Sequence, residues 1–197
     1  MSPIWNFITD FGDSAVTVPL ALLILIFLFA AGERRLALGW VLAISGCAVV
    51  IGALKLVFGA CGHELTLVHI TSPSGHTAMS TAVYGSLAFL VGARLPRGQR
   101  RAILIAAAIA IVGIAVSRVA VHDHSRSEVA VGFVVGVAWV AVFRAALRRH
   151  AAPALPLGWI LLSGGILVAV MHGTRWMIEP VVHRLAWDFR LDLPFCR

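Results

Sequence analysis

The chain has 197 residues, 60% of them hydrophobic and 13% charged, with a mean hydropathy of +0.94. Soluble domains carry roughly 45–50% apolar and about 25% charged residues, so a soluble globular domain is excluded. The 16 Lys and Arg against 9 Asp and Glu leave a formal net charge of +7; the apolar residues lie in long runs, which argues against nucleic acid and leaves a membrane surface or a phosphorylated substrate as the partner of that charge.

The N-terminal stretch MSPIWNFITDFGDSAV lacks the Lys or Arg that opens a signal peptide and carries Asp10 and Asp13 instead, so the apolar run behind it is expected to be a retained span. Reading on with a window of about 19 residues, apolar runs extend over Ser14–Ala31, Leu36–Ala60, His76–Ala93, Ala102–Val121, Glu128–Leu147 and Leu157–Gly173. Each is near the length of about 20 residues that crosses a bilayer. The expected fold class is an all-α membrane protein, a bundle of about six transmembrane helices occupying residues 1–173. Small residues inside the runs, among them Gly132 and Gly136, let such helices pack closely. Residues 174–197 alternate aromatic and charged side chains and suit an interfacial tail. Met79, Tyr84, Trp40, Trp139 and Trp159 read as packing or interface-belt residues.

Sidedness follows from Lys and Arg. One side collects nine arginines, Arg34, Arg35, Arg94, Arg97, Arg100, Arg101, Arg144, Arg148 and Arg149, against Glu33 alone, and is expected to be cytoplasmic. The other holds both termini and the two His-rich loops and is expected to face outward. Cys47 falls within a span and reads as a small buried residue. Cys61 and Cys196 fall on the outward side, where an oxidising compartment permits either a bridge or two thiols.

That outward side concentrates polar groups: Lys55, then Ser74-Gly75-His76, then Ser117-Arg118, then His122-Asp123-His124-Ser125-Arg126-Ser127-Glu128. A single Lys or Arg at a span end reads as snorkelling to water; a set at three successive span ends reads as a site. Lys55 and Arg118 supply fixed positive charge, while Ser74 and the Gly75 amide supply neutral donors. His76 sits at a helix N-terminus, where the dipole favours an anion. His124 and Glu128, four apart on one helical face, allow the carboxylate to hold one ring nitrogen while the other attacks phosphorus.

The order Lys55, Pro73-Ser74-Gly75-His76, and Ser117-Arg118 followed by five residues, His124, three residues and an acid at 128 resembles the three-part signature of the type 2 phosphatidic acid phosphatase (PAP2) superfamily: Lys-x6-Arg-Pro, Pro-Ser-Gly-His and Ser-Arg-x5-His-x3-Asp. The resemblance implies a lipid phosphate or lipid (polyprenyl) pyrophosphate phosphatase without metal or cofactor. It implies His124 as the nucleophile that becomes a phosphohistidine, with His76 as acid to the leaving alkoxide and then base to water. Lys55, Ser74, Gly75 and Arg118 would hold the non-bridging oxygens. Its size and sidedness suit a bacterial inner-membrane protein with a periplasmic site, whose partners are membrane lipids and a lipid phosphate substrate.

Two departures stand out. Gly62-His63 occupies the place of Arg-Pro, so one phosphate-binding cation is missing, with His63 and Arg126 as candidate replacements. Glu128 stands for Asp. His122 rivals His124 as nucleophile, with the spacing from Ser117-Arg118 favouring His124; His69 reads as a solvated loop residue. A phosphotransferase using the same phosphohistidine, or a catalytically impaired lipid-phosphate-binding member, remains compatible with these residues. An intramembrane serine protease built on Ser74 would leave Lys55 and Arg118 without a task.

Overall fold

A computed structural model describes residues 3–61, 72–149, 153–176 and 184. The described residues form seven helices and no strand: α1 (Pro3–Asp10), α2 (Ser14–Ala30), α3 (Arg34–Cys61), α4 (Gly75–Gly92), α5 (Arg97–Ala120), α6 (Arg126–Arg148) and α7 (Leu157–Met171). Helices α2 to α7 coincide with the six apolar runs to within a few residues. Helix α1 is an addition that hydropathy alone does not separate from the run behind it. Four segments are long and apolar enough to cross a membrane: Pro3–Ala30, Arg34–Gly59, Arg97–Ala120 and Arg126–Arg148. The protein is an all-α, multi-pass membrane bundle.

The central helix is α4. It is missing from those four because it carries Thr77, Ser80, Thr81 and Ser86 among its apolar residues, yet all four of these are buried, and it packs against α2, α3, α5 and α6. Large apolar side chains on the surrounding helices are exposed, among them Ile109, Val134 and Val170. Lipid is as apolar as leucine, so nothing drives the most hydrophobic helix inward; close packing and hydrogen bonding decide what lies at the centre. Two of the α4 hydroxyls turn back on their own helix, Thr81 Oγ1 donating to the Thr77 carbonyl at 2.6 Å and Ser80 Oγ to the same oxygen at 3.3 Å.

Helices α4 and α6 run parallel in near-backbone contact. A Cβ at Gly132 would lie 2.4 Å from the Ser74 carbonyl oxygen, and one at Gly136 would lie 2.7 Å from that of Ala78 and 2.5 Å from Thr81 Cβ. On the same face of α6, the Trp139 ring occupies the place that a Cβ at Gly46 of α3 would need. The half of the bundle that carries the arginine-rich turns has an apolar core, in which the buried Trp40 ring meets Phe143 edge-on at 5.3 Å and donates from Nε1 to the Ala21 carbonyl at 3.0 Å. Trp159, in contrast, is exposed.

Because neither the Ala78 carbonyl nor Thr81 Cβ can retreat from a Cβ at Gly136, Gly136→Ala should overpack the interface by about 1–3 kcal/mol. A lowered thermal midpoint in detergent is expected for Gly136→Ala, and no change for Gly158→Ala, whose Cβ would enter open space.

Candidate active site

The end of the bundle opposite the arginine-rich turns gathers the C-terminal part of α3, the N-termini of α4 and α6, the C-terminus of α5, and α1. Ser74 is the N-cap of α4, its Oγ accepting from the Thr77 amide at 3.4 Å. Gly75 lies next to Lys55: a Cβ there would sit 3.4 Å from Lys55 Cε and 3.8 Å from Nζ. The ammonium therefore lies against the first turn of α4, where backbone N–H groups favour an anion.

Ser117 and Arg118 end α5. The chain leaves this helix through a Schellman turn: His122 N–H donates to the Val119 carbonyl at 3.1 Å and Asp123 N–H to the Arg118 carbonyl at 3.2 Å, with His122 in the left-handed region at φ 64°. His122 is exposed and serves as the turn residue, in a conformation for which His is tolerated more than most residues. Two residues later His124 is buried, its amide donating to the same Arg118 carbonyl at 3.3 Å. The turn thus separates the two rival histidines, one to water and one to the interior.

Ser125 caps α6, and Glu128 closes a capping box with it. Glu128 is 5% exposed and does more than cap. Its Oε2 accepts from the Ser125 amide at 2.9 Å and lies 3.3 Å from His124 Nδ1. Its Oε1 accepts from the Ser72 amide at 2.8 Å, and its backbone carbonyl from the Ser74 amide at 3.1 Å. One residue therefore orients His124, begins α6 and pins the segment entering α4. The extra methylene of Glu relative to Asp is what the capping box requires, because a carboxylate at the third helical position must reach back to the cap.

Arg118 is 6% exposed. Its Nη1 donates to Thr9 Oγ1 of α1 at 3.0 Å and its Nη2 pairs with Asp123 Oδ2 at 2.9 Å. His76, in the first turn of α4, presents Nε2 to Asp13 Oδ2 at 3.3 Å. Sequence reasoning missed Thr9, Asp13, Ser72 and Asp123. For Asp13 a signal existed: Asp before Ser-Ala-Val at the head of an apolar run is a helix N-cap pattern, and Pro3 is likewise placed at the start of a helix.

Lys55, Ser74, Gly75, His76, Arg118, His124 and Glu128 are thus brought to one end of the bundle. Arg126 is exposed at the first position of α6, apart from the buried groups. Gly62, His63, His69 and Cys196 lie outside the described residues, as does the Cys61 side chain, and with them the replacement of the missing arginine by His63 and the bridge. Cys47 is buried, its Sγ 3.6 Å from the Ala78 carbonyl. Among the described residues no group of three or more His, Cys, Asp or Glu is disposed to hold a metal ion.

A family model described as PAP2 superfamily matches residues 36–152, more than half of the chain and all of the motif residues. The chain belongs to the PAP2 superfamily. A similar protein from Klebsiella pneumoniae, described as an uncharacterized 22.5 kDa protein in cps region, is 33% identical over 133 residues. That alignment covers 67% of this chain and 64% of the relative, so the chain spans less than two thirds of the relative's length. No solved structure matches. Membership in the PAP2 superfamily supports a phosphatase-type activity in general terms. The superfamily match begins within α3, so α1 and α2, which supply Thr9 and Asp13, lie outside it.

Glu128→Gln tests the multiple role of this carboxylate. Gln has one acceptor oxygen, so its NH2 must face either the Ser72 or the Ser125 amide hydrogen. The variant is expected to lose about 1–3 kcal/mol of stability, read as a lower thermal midpoint, whereas a Glu128 that only touched His124 would leave the midpoint unchanged.

Proposed function

We propose that this PAP2 member hydrolyses a lipid phosphate or lipid (polyprenyl) pyrophosphate through a phosphohistidine intermediate at His124. The observation that carries the reading is the buried His124–Glu128 pair beside Arg118, at the same helix ends as Lys55 and the first turn of α4. In the first step His124 Nε2 attacks phosphorus, the bond to the leaving oxygen breaks, and His76 gives that oxygen its proton. In the second, His76 takes a proton from water, the hydroxide attacks phosphorus, and the P–N bond breaks to release inorganic phosphate and restore both histidines.

Glu128 holds Nδ1 of His124 and offsets the positive charge on the ring as it attacks, the task of the acid in other histidine-acid pairs. Lys55, Ser74, the Gly75 amide and Arg118 stabilise the charge spread over the three equatorial oxygens. With Gly62 in place of the arginine, Arg118 and Lys55 carry most of that work. A head group at the membrane surface reaches helix ends directly, and its chain stays in lipid. The nine arginines at the opposite end support a site on the exoplasmic side, which in a bacterial inner membrane is the periplasmic face.

Phosphate release from phosphatidic acid, phosphatidylglycerol phosphate and undecaprenyl pyrophosphate in mixed micelles tests the reading. His124→Ala is expected to lower turnover by at least about 1,000-fold, while His122→Gly keeps turnover and gains roughly 1 kcal/mol by relieving its left-handed backbone. Quenching wild type with SDS at alkaline pH should trap an acid-labile, alkali-stable phosphoprotein. Equal release by wild type and His124→Ala would sink the nucleophile. A trapped phosphoprotein without release would mean transfer to another hydroxyl, and neither signal would mean a binding member.

A further inference from the structure

The His76–Asp13 pair is built like the His124–Glu128 pair, from a different part of the chain. Asp13 is the N-cap of α2, and its Oδ1 accepts from the Ala15 amide at 2.8 Å and from the Trp176 amide at 3.3 Å. These two donors fix the carboxylate so that Oδ2 faces His76 Nε2 at 3.3 Å. The pair is sheltered, with side-chain exposures of 19% for His76 and 7% for Asp13. Its spacing is set by close packing: a Cβ at Gly12 would lie 3.5 Å from His76 Cβ and 2.6 Å from Ile114 Cγ2. The turn that carries Asp13 is further clamped by Arg175, whose Nε and Nη2 both lie 3.0 Å from Asp10 Oδ1, and by Tyr84, whose hydroxyl donates to the Phe11 carbonyl.

We infer that Asp13 is a positioning residue for His76, doing for the proton-transferring histidine what Glu128 does for the nucleophile. With Nε2 turned to Asp13, the proton passes through Nδ1: it leaves His76 for the leaving oxygen as the P–O bond breaks, and returns from water as the P–N bond is attacked. The carboxylate keeps the ring in one orientation and compensates its positive charge while it holds the proton. Asp13 touches no reacting atom, and its effect runs through His76. In each pair the acid also opens a helix, so the backbone amides that hold the carboxylate are supplied by the fold and need no further side chain.

This inference rests on the proposed phosphohistidine reaction and has its own signature, because proton donation matters most when the leaving group is poor. Phosphatidic acid expels a glycerol alkoxide, which needs a proton; p-nitrophenyl phosphate expels a stable phenolate, which needs little help. Asp13→Asn and Asp13→Ser both retain a capping side chain for α2 and remove the negative charge that faces His76. Each is expected to lower kcat on phosphatidic acid about 30-fold or more, to lower it less than about 3-fold on p-nitrophenyl phosphate, and to leave KM within about 2-fold for both. Asp13→Glu should recover part of the loss, and the Asp13→Asn, His76→Ala double variant should be no slower than His76→Ala alone.

Equal loss on the two substrates, or loss on neither, overturns the inference while leaving the proposed function intact. Failure of both capping variants to yield monodisperse protein in detergent also overturns it, since the carboxylate would then be structural. Wild type that releases phosphate from neither substrate, or His124→Ala as active as wild type, overturns the proposed function and this inference together.

Discussion

The site depends on one buried carboxylate. Glu128 accepts from the Ser72 amide through one oxygen and from the Ser125 amide through the other, while the second oxygen also faces His124 Nδ1. A carboxylate in a poorly hydrated setting is tolerated only when its lone pairs are satisfied, and here the donors are backbone amides from two chain segments 53 residues apart in sequence, Ser72 and Ser125. The hydrogen bonds that neutralise the burial cost thereby join the entry to α4 with the entry to α6. That join sets the two helix N-termini side by side, and with them the free amides of their first turns.

The close approach of α4 and α6 follows from the same constraint. Glu128, Gly132 and Gly136 are spaced by four residues on one face of α6, and the two glycines let that face lie on the backbone of Ser74 and Ala78. A larger residue at either position would lift α6 from α4 and pull Glu128 from the Ser72 amide. Packing in the middle of the bundle and orientation of His124 at its end are therefore one structural problem. This also explains why α4, the helix richest in Ser and Thr among the spans, lies at the centre: small side chains permit the contact, and the hydroxyls of Ser80 and Thr81 are satisfied within the helix.

The N-terminal segment widens the site beyond the residues matched by the superfamily model. Thr9 holds Arg118 and Asp13 faces His76, and residues following α7 hold that segment in turn, His172 Nε2 meeting the Phe7 carbonyl at 2.9 Å. Helix ends outside the segment matched by the superfamily model thus supply the groups that fix its charged side chains.

Much of this was legible in the order of residues. Six apolar runs gave six helices because a backbone in lipid must satisfy its own hydrogen bonds, which fixes helix as the form and about 20 residues as the length. Arg118, His124 and Glu128 could be set close together because helical spacing and a short turn bind them locally. Sequence could not separate His122 from His124 by environment, since the turn that exposes one and buries the other depends on a left-handed residue at 122. Nor could it find Thr9 or Asp13 as partners of Arg118 and His76, which stand 109 and 63 residues away. Hydropathy reports what each helix offers to lipid or to neighbours; which helix is central, and which distant carboxylate meets which histidine, is decided only when small faces pack and buried charges find their donors.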